Sequence, residues 1–271
     1  MSLVETDWLE KNIQDVKIID CSWHMPQTKR DGFEEYKLKH IPNAIYFDLD
    51  NNSKKDTDLP HMLVEINQWE KILSTMGIKN DDKIIIYDNS DVASACRCWF
   101  NFIYFGHNSN LVHVLNGGLG KWIKEKKEVT NNKTNIKISS YKGIEKKELV
   151  KNKKSINQNI DEQKFKLIDA RSEERFKGNI PEPRKGLKSG SIKNSFCIPF
   201  NYCLNDDKTF KKKEDLKIVF ETCLQNINEK NIVFSCGSGV TACVLALAYS
   251  LINDKYCPCI YDGSWAEYGI I

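Results

Sequence analysis

No apolar run in these 271 residues approaches the roughly 20 residues that a helix needs to cross a bilayer, which excludes a helical membrane protein. Residues Met1 to Trp8 lack the basic start and apolar core of a secretory signal, so a cytoplasmic location is expected. An excess of one charge is missing too: 40 basic against 37 acidic residues leave +3. With no basic stripe interleaved with aromatics, neither a nucleic acid nor a membrane surface is an expected partner. Clusters such as Lys151-Asn-Lys-Lys154 and Lys211-Lys-Lys213 read as solvated loops or helix faces. Ten cysteines are present, but without a signal, and scattered through apolar segments, they are expected to be reduced core residues. The close pairs Cys96-x-Cys98 and Cys257-x-Cys259 have neither zinc-site spacing nor nearby histidines, so no metal and no cofactor is expected.

What is present is a unit written twice. The length suits two domains, and 41% hydrophobic with 28% charged residues is a globular composition. In the first half the pattern predicts a helix over 5–13 capped near Thr6-Asp7, then strands over 16–20 and 44–47. A polar loop over 50–61 and a helix over 66–76 stopped by Gly77 follow. Then come a strand over 83–88, a helix over 93–105, a strand over 111–115, and a turn with a short helix over 116–122. In the second half Glu145 to Val150 is matched to the opening helix, Phe165 to Asp169 to the first strand, Asn231 to Cys236 to the strand ending at Asp88, and Tyr261 to Tyr268 to Leu115–Trp122. The offset from strand-end acid to loop is 68 residues in one half, Asp20 to Asp88, and 67 in the other, Asp169 to Cys236. Such agreement predicts a tandem duplication. The fold class expected is α/β, with two repeats each built on a mostly parallel sheet covered by helices on both faces. The division expected is 1–130, a polar linker over 131–142, and 143–271.

The second repeat carries the reactive feature, Cys236-Gly-Ser-Gly-Val-Thr241, between a strand end and an apolar helix. Glycines there allow several amides to turn inward at a helix N-terminus, an arrangement that holds anions and makes a thiol nucleophilic near neutral pH. In open parallel sheets ligands collect beyond the carboxyl ends of the strands, where Cys236 lies. The first repeat has Asp88-Asn-Ser-Asp91 at the same position, with neither thiol nor glycines, and is expected to serve as a wall. Around Phe176 to Pro183, Arg175 and Arg184 stand nine residues apart in a segment that its prolines and glycine mark as an ordered loop. Two guanidinium forks there could meet on one carboxylate.

These motifs, with Asp20-x-Ser-Trp-His-Met-Pro, His40-Ile-Pro-Asn-Ala, Phe47-Asp-Leu-Asp50, His61-Met-Leu, Asn116-Gly-Gly-Leu, Pro181-Glu-Pro-Arg184 and Tyr261-Asp-Gly-Ser-Trp265, resemble the tandem rhodanese-domain sulfurtransferases over nearly the whole chain. Within that family the resemblance is to the 3-mercaptopyruvate sulfurtransferases. It implies that Cys236 takes sulfur from a small-molecule donor as a persulfide and passes it to cyanide or to a thiol, such as thioredoxin or a low-molecular-weight thiol. It also implies that Arg175 and Arg184 bind the donor's carboxylate and keto group, and that Ser238 works with Asp50 and His61. Gly237, Gly239, Val240 and Thr241 form the binding loop, and Arg97 either lines the cleft or makes an ion pair. Relatives that prefer thiosulfate carry basic residues directly after the cysteine, whereas Gly237 and Ser238 are neutral, which favours mercaptopyruvate. Thiosulfate:cyanide transfer and a protein persulfide carrier without turnover remain alternatives. A phosphatase loop would need arginine at position 242, which is alanine.

Overall fold

The computed structural model describes residues 2–227 and 229–271. The chain forms two compact units. One comprises the residues up to Lys54 with Leu63–Lys146 and Asp206–Thr209; the other comprises Lys55–Met62, Lys147–Asn205 and Phe210–Ile271.

The first unit runs β1 (Leu3–Val4), α1 (Thr6–Lys11), β2 (Lys17–Asp20), α2 (Gly32–Leu38), β3 (Ala44–Tyr46), α3 (Ile66–Thr75), β4 (Ile84–Tyr87), α4 (Ala95–Tyr104), β5 (Val112–Leu115) and α5 (Gly118–Lys124). All its strands are parallel, in the order β1-β5-β4-β2-β3. Because β4 is buried along its length, it reads as a continuous apolar run, Ile-Ile-Ile-Tyr, rather than an alternation. Alternate side chains go to opposite faces. Ile18, Ile85, Tyr87 and Leu115 pack with Leu9 of α1 and with Leu119 and Trp122 of α5. The buried indole of Trp69 on α3 stacks on Phe105 and meets Phe102 of α4 edge-on, in the helical layer on the other face.

The second unit repeats this with β6 (Val150–Lys151), α6 (Lys153–Glu162), β7 (Lys166–Asp169), α7 (Glu173–Lys177), β8 (Phe196–Cys197), α8 (Lys213–Glu221), β9 (Ile232–Ser235), α9 (Ala242–Ile252), β10 (Ile260–Tyr261) and α10 (Ser264–Tyr268). The order β6-β10-β9-β7-β8 is the same, again all parallel. One face carries Ile156, Leu167, Val233, Tyr261 and Trp265, and the other an aromatic cluster of Phe220, Phe234, Tyr249 and Tyr256.

Two expectations are corrected. The counterpart of the opening helix is α6, not Glu145–Val150: Val150–Lys151 pair with β10 as an edge strand, and the Asn152 side chain starts the helix by accepting the Ser155 amide at 2.9 Å. The opening helix begins after Glu5 without a side-chain cap, because the Thr6 hydroxyl bonds Glu125 instead. The polar segment after Thr130 runs along the first unit, tied by Thr134 Oγ1 to the Ala44 carbonyl, by Ser139 Oγ to the Ile78 carbonyl, and by Tyr141 OH to His107 Nδ1.

Candidate active site

Strand β9 ends at Ser235 and delivers Cys236, 2% exposed, to the carboxyl edge of the sheet. Gly239 turns the loop with φ +77°, a conformation that costs glycine nothing, and α9 starts at Ala242. The loop is held from behind by α10. Trp265 N–H donates to the Cys236 carbonyl and Ala266 N–H to the Gly237 carbonyl, each at 2.9 Å. Cys236 N–H donates to Ser264 Oγ at 3.1 Å, and that hydroxyl donates to the Tyr261 carbonyl at 2.8 Å. Ser264 makes these bonds from a left-handed backbone, φ +49°, while fully buried. With the loop carbonyls taken by α10, the amides of Gly237, Ser238, Val240 and Thr241 have no acceptor among the described residues, so four donors stand at the start of α9.

Both predicted arginines come to this loop. A β-carbon placed on Gly237 would lie 3.2 Å from Arg175 Nη2 and 3.8 Å from Arg184 Nη1, so glycine is what lets the two cations approach the main chain beside Cys236. The segment between them is ordered by Glu182, whose side chain is only 2% exposed. Its carboxylate accepts from Arg175 at 2.6 Å and from Arg171 at 2.8 Å. Arg171, fully buried, also grips Asp169 at 2.6 Å, donates to the Gly190 carbonyl, and lies 4.3 Å above the Trp265 ring. Burial works against its charge, but Asp169 and Glu182 outweigh burial and hold the guanidinium above its ordinary range.

His61 Nδ1 lies 3.0 Å from Ser238 Oγ, both side chains buried, with His61 in a left-handed turn at φ +61°. The loop 55–62 that carries it groups with the second unit. Asp50 and Arg97 belong to the first. Asp50 Oδ2 accepts the Trp23 indole N–H at 2.9 Å, and Arg97 is buried on α4 with its guanidinium carbon 6.0 Å from the Phe100 ring. Val240 of the loop is buried, and Thr241 holds the N-cap position of α9 without a side-chain hydrogen bond.

In the first unit the same place is closed by its own chemistry. Asp88 follows β4 and folds its carboxylate back onto the amides of Ser90 at 2.9 Å and Ala95 at 2.7 Å, so an acid of the chain itself occupies donors of this loop and of the start of α4. Leu119 N–H meets the Asp88 carbonyl at 2.9 Å, and Gly118, the counterpart of Ser264, shares its left-handed turn at φ +56°.

Arg171, Glu182 and Ser264 were not singled out from the sequence. Glu182 sits between the two prolines that marked the arginine loop, and Ser264 lies inside the Tyr261–Trp265 motif. A buried acid flanked by prolines and arginines was a readable signal; a serine bonding a main-chain amide was not.

The sequence description "Rhodanese-like domain" matches residues 5–125 and again 152–270. The chain is 38% identical, over 98% of its length and 75% of the relative's, to the mitochondrial thiosulfate/3-mercaptopyruvate sulfurtransferase 1 of Arabidopsis thaliana. It is 33% identical to the 3-mercaptopyruvate sulfurtransferase of Mus musculus, covering 98% and 91% of the two chains. Among solved structures, the 3-mercaptopyruvate sulfotransferase SseA of Escherichia coli superimposes with a TM-score of 0.86 at 28% identity, over 98% of this chain and 99% of that one.

Proposed function

Since the chain belongs to the rhodanese-like domain family, with that domain present twice, we propose that it is a sulfurtransferase that moves the sulfur of 3-mercaptopyruvate through a Cys236 persulfide to a thiol acceptor. The observation that carries the choice of donor is the approach of Arg175 and Arg184 to Gly237, two guanidinium groups beside a loop that has no basic residue of its own. A 2-oxo acid offers a carboxylate and a keto oxygen to such a pair.

The Cys236 thiolate attacks the thiol sulfur of the donor. The carbon–sulfur bond breaks, its electron pair leaves as the enolate of pyruvate, and the sulfur, with its proton, stays on Cys236 as a persulfide. That proton goes to the enolate carbon, which releases pyruvate and leaves Cys236–S–S⁻ against the amides of Gly237, Ser238, Val240 and Thr241. Donors already in place where charge accumulates need no reorganisation as it forms. The acceptor thiol then takes the outer sulfur as a new persulfide, keeping its proton, and Cys236 returns as thiolate. Ser238, bonded to His61, is the hydroxyl assigned to the donor in this reading.

We assign catalysis to the second repeat, 143–271, and none to the first, 1–130, a division supported by the carboxylate of Asp88 on its own loop amides. Among the described residues no helix is long and apolar enough to cross a membrane. All ten cysteines are free thiols, which supports a reducing compartment, proposed here as the cytoplasm. The experiment that tests the function compares kcat/KM for mercaptopyruvate and thiosulfate with several thiol acceptors and cyanide. Preference for thiosulfate would replace the proposed donor, and a persulfide that forms once without turnover would make the protein a carrier.

A further inference from the structure

The two repeats differ at the amino ends of their strands as well as at the carboxyl ends. Leu3 pairs with Val114 as Val150 pairs with Ile260, and Glu5 and Asn152 precede helices α1 and α6, so Val4 and Lys151 are equivalent, and likewise Trp8 and Ser155. The next position confirms the register: Leu9 and Ile156 are both buried in their cores. In the first unit the Trp8 indole packs on the core with the Lys83 ammonium 5.1 Å from its centre. In the second unit that indole is a serine, and the space beside it is a cavity of about 630 Å³ lined by Ser155, Phe165, Val233, Lys151 and Lys230. That volume falls within the roughly 300–1,000 Å³ of small-molecule sites.

We propose that this cavity binds a small planar aromatic acid. The ring takes the place that Trp8 fills in the first repeat, against Phe165 and Val233. Its acid group meets Lys151, which replaces the apolar Val4. Lys151, Lys164 and Lys230 face Glu148 and Glu162 around the cavity, and Lys164 is already paired with Glu162 at 2.9 Å, so the remaining lining favours an anion. Ile232 and Val233 open β9 at this end, while Cys236 follows it at the other, so the site is separate from the sulfur chemistry.

The test is an amide NMR titration of the full chain with indole-3-acetate, and with indole-3-ethanol as the neutral control. Saturable shifts at Ser155, Phe165 and Val233 are expected, with the alcohol binding roughly fivefold or more weakly. Ser155→Trp, which rebuilds the first repeat's filling, should weaken the acid roughly tenfold or more and leave sulfur transfer unchanged. Lys151→Val should bring acid and alcohol to equal affinity, and it decides the matter should the tryptophan variant fail to fold. No saturable shift at those three amides, or binding that neither variant alters, would overturn the proposal.

Discussion

Asp88 and Cys236 stand at the same point of two copies of one fold, each a residue past the central strand, and each main-chain carbonyl accepts an amide of the next short helix at 2.9 Å, from Leu119 and from Trp265. What differs is the occupant of the loop amides. In the first copy it is the protein's own carboxylate, and in the second the amides of Gly237, Ser238, Val240 and Thr241 have no acceptor among the described residues.

Replacing Cys236 by serine should abolish turnover, lowering kcat by at least about a thousandfold, because an alkoxide cannot form the persulfide. The fold should persist, since the swap barely changes side-chain volume. Pyruvate release and the mass of the protein after exposure to the donor measure both halves of this. Activity near wild type would reject Cys236 as the nucleophile.

Arg184→Ala should raise KM for mercaptopyruvate roughly tenfold or more, with a much smaller effect on thiosulfate, since it removes a charge-assisted bond to a carboxylate that thiosulfate lacks. Steady-state kinetics with both donors read the difference. Equal losses would mean that the guanidinium serves the loop rather than the carboxylate.

Glu182→Ala is expected to destabilise the second repeat by about 3 kcal/mol, because it strips one partner from the fully buried Arg171 and releases Arg175. Denaturant unfolding followed by the resolved NMR signal of the Trp265 indole N–H, which lies beneath Arg171, reports on that repeat. A loss below about 1 kcal/mol would place Glu182 in the same class as exposed pairs.

Burial pushes the carboxyls of Asp20 and Asp88 up to about 6, against the hydrogen bonds from Ser22 to the first and from Ala95 and Ser90 to the second. Both groups therefore hold protons in the folded state at pH values where the unfolded chain has lost them. Their contribution to stability grows as pH falls through 6, is complete below the unfolded value near 3.8, and is absent well above 6. Between pH 7.5 and 5 each should add about 1 kcal/mol to unfolding stability relative to its Asn variant, measured by urea titration. A difference that is flat with pH would show that these carboxyls titrate normally.

The α/β class, the duplication, the longer strands and the cysteine–glycine loop were readable in the chain. Apolar runs such as Ile84–Tyr87 and Ile232–Ser235 have the length and bounding turns of buried parallel strands. A thiol among glycines at a strand end is a local pattern, as are two arginines in a proline-bounded loop. Edge strands of two residues, Leu3–Val4 and Val150–Lys151, carry no period, so α6 was misplaced to Glu145–Val150.

By itself the sequence determined that the second repeat alone carries a cysteine among glycines at the end of its central strand, and that two arginines bracket a proline-bounded segment, because residue type and near-neighbour spacing set those properties. Tertiary structure alone decided that Glu182 ties Arg171 to Arg175, that Ser264 holds the Cys236 amide, that His61 meets Ser238, and that Asp88 fills its own loop. These contacts join residues 7 to 177 positions apart in the chain, and a hydrogen bond depends on ångström distances that only the packed fold establishes.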